Sequence, residues 1–501
     1  MEKMIIVLYG LALFFIFCNS LVQAHLLYYY LKYHRKREKS ARQPALPTSD
    51  CSSGELPRVT IQLPVYNERY VIERLLEAVA GLDYPKDRFE IQVLDDSSDE
   101  TQSLIAQRLP ALCARGITIH QVRRENREGY KAGALAAGLQ TATGDLIAIF
   151  DADFIPRSDF LLKTVSYFRN PAIGMVQTRW EHLNEEYSLL TRVQAFGLDA
   201  HFSVEQKGRN EAGSFINFNG TAGIWRKSCI IDAGGWQSDT LTEDLDLSYR
   251  AQLCGWKFYY LEDLGSPAEL PVAMNALKTQ QYRWTKGAAE CARKNLLPML
   301  LSGRLSMRTK LHGFFHLMNS FLFVCGIGMA LLSVPVMFIQ HQTQAYSTLL
   351  RLSTVCLLGF FLLMGFYWVA FTKTQKTYAV TPWRFIKNFI FFLSFSMGLS
   401  LHNAIAVLEG YLGRTTPFVR TPKFNIRQAQ DRWQSNRYLG SRISGLTVLE
   451  GILCLYFLGS IAMGIYFGDF GLIPFHLMVA FGFGCVCYYS IAHARAVSQT
   501  K

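Results

Sequence analysis

A chain of 501 residues exceeds one ordinary core, and its 50% hydrophobic, 13% aromatic and only 18% charged composition is that of a membrane protein with a soluble part. The net charge of +12 does not mark a nucleic-acid partner, because many basic residues flank long apolar runs, where anionic headgroups and the positive-inside bias account for them. Eleven cysteines without CxxC spacing exclude a zinc ribbon or a disulfide framework and read as small core hydrophobes.

The first apolar run, residues 4–31, is followed by Lys32, Arg35, Lys36, Arg37, Lys39 and Arg42, which should stay in the cytosol and leave the N-terminus outside. Val22-Gln23-Ala24 faintly resembles a signal-peptide cleavage site, but the apolar stretch runs on through Tyr28, Tyr29 and Tyr30 and the charge lies on the wrong side. A transmembrane helix is therefore expected over 1–32 and a basic cytosolic linker over 33–57. Between 58 and 260, short β-branched runs alternate with amphipathic stretches. Strands are expected at 59–65, 90–95, 117–122 and 145–150, and helices at 68–80, 100–115, 130–140 and 158–169. That alternation implies a mostly parallel sheet covered on both faces, with ligands at the carboxyl ends of its strands. Arg293, Lys294, Arg304, Arg308 and Lys310 punctuate the next stretch and predict interfacial helices over 288–310.

Five more apolar segments follow, at 311–340, 352–372, 388–408, 451–468 and 470–492. If all five crossed, Arg420, Lys423, Arg427, Arg432 and Arg437 would lie outside, against the positive-inside bias. The segment 388–408, with Ser394, Ser396, Ser400, His402 and Asn403, is therefore expected to be re-entrant or interfacial, its polar groups buried against protein. Within the bundle 311–501, the basic loop 413–445 then returns to the cytosol near the soluble domain.

Two acidic clusters close strands: Asp95, Asp96 and Asp99 after the second, Asp151 and Asp153 after the fourth. A hard divalent cation, Mg²⁺ or Mn²⁺, shares one or two carboxylates with substrate phosphates, so Asp151 and Asp153 suit a metal diphosphate; acids after strands also make Asx-turns and caps. Tyr66 and Glu68 could hold a nucleotide base and its edge or ribose, and Asn67 between them could equally cap the next helix. Lys131 opens a helix, where both the helix N-terminus and the ammonium favour phosphate. Thr242-Glu243-Asp244 either caps a helix with acids in its first turn or supplies, through Asp244, a general base that deprotonates an acceptor hydroxyl. Gln280, Arg283 and Trp284 share one helical face at i, i+3 and i+4. An amide, a guanidinium and an indole side by side suit a diphosphate beside the flat face of a sugar; an aromatic and basic pair can also anchor a helix at the membrane interface.

In this order the motifs Leu94–Asp99, Lys131–Ala134, Asp151-Ala152-Asp153, Phe218–Gly223, Thr242-Glu243-Asp244 and Gln280–Trp284 resemble glycosyltransferase family 2, and within it the cellulose-synthase-like membrane synthases, over roughly 58–287. With Gly234-Gly235-Trp236, the wording is most similar to the plant mannan and glucan-backbone synthases. The resemblance implies an α/β GT-A domain over 58–287, inserted between helical membrane segments. It implies a nucleotide base held near Tyr66, Glu68, Asp95 and Asp96, donor contacts from Lys131, Gln280 and Arg283, and metal and diphosphate at Asp151 and Asp153. Asp244 becomes the base, and Phe218, Asn219, Gly220, Thr221, Glu243 and Trp284 the acceptor contacts. The expected activity is inverting transfer of a hexose from UDP-glucose or GDP-mannose to a growing β-linked polysaccharide with export. Transfer of one hexose to a lipid acceptor is the alternative. A multi-pass plasma-membrane or Golgi-type protein with a cytosolic catalytic domain is expected; its linkage, its oligomeric state and any export partner stay open.

Overall fold

The computed structural model describes residues 1–40, 56–343, 346, 348, 354–375, 379–426, 428 and 430–500. Arg42 and most of the expected linker, the start of the segment 352–372 and Arg427 lie outside the described residues.

The first four strands form where β-branched and aliphatic residues cluster: β1 (Val59–Val65), β2 (Phe89–Asp95), β3 (Thr118–Val122) and β4 (Leu146–Ile149). Three more, β5 (Ile173–His182), β6 (Gly223–Arg226) and β7 (Lys257–Ala268), complete one sheet in the order β3-β2-β1-β4-β6-β5-β7. All neighbours run parallel except β6, which is antiparallel to both β4 and β5. Helices cover both faces: α1 (Glu2–Ser40) enters from the membrane, then α2 (Ile72–Ala80), α3 (Thr101–Ala114), α4 (Tyr130–Thr141), α5 (Phe160–Val165), α6 (Leu189–Ala200), α7 (Gln206–Glu211), α8 (Lys227–Asp232) and α9 (Glu243–Leu253).

Alternation along β1 divides the two cores. Val59, Ile61, Leu63 and Val65 face one cluster with Leu75, Leu76 and Val79 of α2 and Ile105 of α3. Thr60 and Gln62 point the other way, toward the side chains of Glu90 and Gln92. Thr60 Oγ1 donates to Glu90 Oε1 at 2.6 Å and Gln62 Nε2 to Gln92 Oε1 at 3.0 Å.

After β7 the chain forms α10 (Met274–Leu301) and α11 (Met307–Leu317), then α12 (Phe321–Gln342), α13 (Leu357–Thr374), α14 (Pro382–Tyr411), α15 (Gly445–Phe467) and α16 (Ile473–Thr500). With α1, the last five make six helices long and apolar enough to cross a bilayer. The carboxyl end of α1 is tied to β7 through Tyr30, whose hydroxyl donates to Glu262 Oε1 at 2.8 Å, and through an Arg37–Asp263 ion pair at 2.7 Å.

Of the re-entrant and interfacial forms expected for 388–408, the re-entrant one is corrected: α14 is a single unbroken helix. Local hydrogen bonds hold it, and His402 Nε2 lies 2.9 Å from the Lys278 carbonyl of α10. Small residues let it cross α16 closely, since a methyl group placed on Gly482 would meet Ser394 O at 1.9 Å. The loop 412–444 leaving α14 packs against the carboxyl edge of the sheet, the side from which α10 also departs. Three candidate crossings, α12, α13 and α14, lie between α11 and that loop.

Candidate active site

Sheet topology gathers the motifs. Because β6 runs against β4, with Gly223 opposite Ile149, the segment preceding β6 lies beside the Asp151–Asp153 turn that follows β4. Thr221 Oγ1 accepts the Asp151 N–H at 2.8 Å and fixes that turn. Lys131, in the first turn of α4, donates to Asp151 Oδ1 at 2.6 Å and to the Gly220 carbonyl at 2.8 Å, and lies 3.9 Å from Glu243 Oε1. Gly220 adopts φ +79°, and a methyl group there would meet Asp244 Oδ2 at 3.0 Å and Lys131 Nζ at 3.4 Å. Only glycine combines that backbone with so close an approach.

Asp244 opens α9. Its Oδ1 accepts the Leu245 N–H at 2.8 Å, leaving Oδ2 on the Gly220 side. Thr242 makes no cap to α9, and its hydroxyl instead faces Cys291 Sγ at 3.3 Å. Burial pushes the Asp244 carboxyl up to about 7; the Glu243 carboxylate adds to the shift and the Lys131 ammonium opposes it. Burial lowers Lys131, but Asp151 and Glu243 outweigh it and hold the ammonium charged.

One open crevice is lined by thirteen of the expected residues: Tyr66, Glu68, Asp96, Lys131, Asp151, Asp153, Asn219, Gly220, Glu243, Asp244, Gln280, Arg283 and Trp284. Three other expected contacts, Asp95, Phe218 and Thr221, are buried and do not line it. Asp95 makes an Asx-turn, accepting Ser97 N–H at 2.9 Å, and takes Gln121 Nε2 at 2.7 Å. The Phe218 ring is fully buried edge-on to Trp225, and its N–H goes to Ser248 Oγ at 2.8 Å. Thr221 is spent on Asp151. Asn67 does not cap α2; its Oδ1 accepts the Ser98 N–H at 2.9 Å and joins the β1 and β2 turns.

Sequence reasoning brought the basic loop near the domain but missed its contacts. Arg420 Nη1 lies 2.7 Å from Glu68 Oε2 and Lys423 Nζ 2.7 Å from Asp153 Oδ2. Arg437 pairs with Asp99 at 2.7 Å, Tyr438 donates to the same carboxylate, and Phe418 stacks on Tyr130 and beneath the Arg283 guanidinium. At the Tyr66 end, Arg127 lies 3.3 Å over the Tyr66 ring and Arg124 clamps Asp96. Burial raises Glu68 to about 7 against the pull of Arg420 and Lys423. The only signal for these partners was the loop's positive charge.

The residues present fit a divalent cation. Asp153 is buried, with Oδ2 on Lys423 and Oδ1 without any hydrogen-bond partner among the described residues. Among those residues no cluster of three or more His, Cys, Asp or Glu could hold a metal alone. A cation at Asp153 and Asp151 would need further oxygens, as a diphosphate supplies.

Residues 57–287 match the model of a family described as glycosyltransferase-like family 2. The chain is 35% identical over 445 residues to glucomannan 4-beta-mannosyltransferase 9 of Arabidopsis thaliana, which spans 84% of this chain and 79% of the relative. A similar match, 35% over 416 residues, covers 80% of this chain and 74% of glucomannan 4-beta-mannosyltransferase 1 of Cyamopsis tetragonoloba. Probable glucomannan 4-beta-mannosyltransferase 4 of Oryza sativa subsp. japonica is 45% identical over 282 residues, 55% of this chain, which spans only 51% of that relative. Among solved structures, the mannosyltransferase PcManGT from Pyrobaculum calidifontis in complex with GDP-Man and Mn2+ superposes with a TM-score of 0.50 at 17% identity, over 80% of this chain and 100% of that one. That is a likeness of fold, the α/β GT-A arrangement.

Proposed function

The chain belongs to glycosyltransferase family 2, among its cellulose-synthase-like membrane synthases, and from that premise we propose that it transfers mannose from GDP-mannose to a growing β-1,4-linked polysaccharide. The observation that carries the chemistry is Asp244 Oδ2 beside Gly220, in one crevice with Lys131, Asp151, Asp153, Arg283 and Trp284. The mannosyl group and the linkage are supported by the relatives' names alone.

Asp244 takes the proton of an acceptor hydroxyl held over the Trp284 indole. The freed oxygen attacks the anomeric carbon from the side opposite the diphosphate. The bond from that carbon to the phosphate oxygen breaks, and its electron pair leaves with the nucleoside diphosphate. One displacement inverts the centre, so an α-linked donor gives a β-linked product. Lys131 and Arg283 face the diphosphate, and Gln280 hydrogen-bonds beside it. Tyr66, stacked by Arg127, holds the base. Asp151 and Asp153 would hold a Mg²⁺ or Mn²⁺ ion, which would supply neutralising charge to the leaving diphosphate.

We assign α14 to the membrane interface rather than to a crossing. That places the GT-A domain and the loop 412–444 together in the cytosol and lets the remaining helices guide the product outwards. Incubating the purified chain with a panel of nucleotide sugars and Mn²⁺, followed by linkage analysis, tests the reading. GDP-mannose consumption with β-1,4-mannosyl product supports it; another donor or a single-hexose glycolipid replaces it.

A further inference from the structure

The carboxyl end of β5 and α6 also contribute to the crevice wall, through Trp180, His182 and Leu198. Trp180 of β5 stands 6.5 Å from Trp284, centroid to centroid, with the planes inclined at 55°. Phe202 stacks on it at 4.6 Å and 23° and Phe154 meets it edge-on at 5.2 Å, so the indole is braced by the protein and half-buried where it meets the crevice.

Polar atoms surround these rings without protein partners. Trp180 Nε1 and Asn219 Nδ2 are buried and neither has a hydrogen-bond partner among the described residues. Asn219 is otherwise fully engaged: its N–H goes to Gln177 Oε1 at 3.0 Å and its Oδ1 accepts from Asn217 Nδ2 at 2.8 Å. The amide is thereby oriented with its NH₂ left over. His182, two residues beyond Trp180, also lines the crevice, with Nε2 3.2 Å from Asp199 Oδ1. Buried indole and amide donors normally find acceptors. Two inclined aromatic faces, with donors at their edges and one paired carboxylate nearby, suit a neutral, hydroxyl-rich ring: its flat face meets the indoles and its hydroxyls meet the orphaned donors.

We propose that Trp180, with Asn219 and the His182–Asp199 pair, forms a second acceptor-sugar site that holds the penultimate pyranose of the growing chain while Trp284 holds the terminal one. The inference rests on the transferase reading and deepens it, because a site for the second sugar is what an enzyme that extends a polymer needs and one that glycosylates a lipid does not. Trp180 is thus a positioning residue. It keeps the terminal hydroxyl in line with Asp244 by gripping the residue behind it.

The test uses the full chain in nanodiscs with GDP-mannose and Mn²⁺, comparing mannose, β-1,4-mannobiose and β-1,4-mannotriose as acceptors, with donor binding titrated separately. The wild type should prefer mannobiose to mannose in kcat/KM. That preference should shrink by roughly tenfold in Trp180→Ala and by a smaller factor in Trp180→Phe, which keeps a ring and drops the N–H. Donor Kd should be unchanged in both. If Trp180→Ala loses donor binding through misfolding, Trp180→Phe alone decides. Equal losses on mannose and mannobiose, or an unaltered preference, overturn the second site. Failure of the wild type to bind or consume any nucleotide sugar sinks the transferase reading instead.

Discussion

In the proposed mechanism one carboxylate, Asp244, carries both the chemistry and its pH dependence. Positioned proton transfer is worth about 10²- to 10⁴-fold in rate. Asp244→Asn should therefore cut turnover by a factor in that range while leaving donor affinity close to wild type, measured by nucleotide release and by donor titration. The base works deprotonated, and burial with the Glu243 charge raises it to about 7, so turnover should fall as the pH drops through that region. Glu243→Gln removes the negative neighbour and stabilises the Asp244 carboxylate, which moves the acidic limb of the kcat profile to lower pH. A limb that stays in place or moves upward contradicts the assignment. Residue types at strand ends made most of this crevice legible in the sequence. What stayed hidden was orientation. Asp95 is turned into an Asx-turn by Ser97, and Phe218 is drawn into the core by Trp225; no local pattern shows which way such side chains face.

Among the elements, β1 to β4 and the helices between them follow from alternating and 3.6-residue apolar patterns, and the structure matches them to within a few residues. The rest of the sheet was not legible. β6 has only four residues, and β7 carries Glu262, Asp263 and Pro267 and shifts register against β5, so neither gives a clean period-two signal. The loop 412–444 was readable only as charge, because its partners are far away in sequence; Lys423 and Asp153 are separated by 270 positions. The α14–α16 crossing offers a test at this scale. Gly482→Ala puts a methyl group where Ser394 O stands and should destabilise the protein by roughly 1–3 kcal/mol, as overpacking does. Gly459→Ala, with nothing within 4 Å, should leave the melting temperature in detergent unchanged.

For the whole molecule, the proposed topology puts the GT-A domain and the basic loop on one face of the membrane. Cys113 is exposed on α3 and Gly440 lies in open space on the loop. In oriented vesicles an impermeant maleimide should reach Cys113 and a Gly440→Cys variant from the same side and an epitope at Met1 should be accessible from the other. Labelling of Gly440→Cys from the side opposite to Cys113 would break the arrangement of α14. The most direct measurement is the fate of a radiolabelled nucleotide sugar given to purified wild-type and Asp244→Asn protein with Mn²⁺. The account predicts a β-linked glycan and released nucleoside diphosphate from the wild type and almost none from the variant. No donor consumption by well-folded wild type, or equal glycan from both proteins, would contradict it.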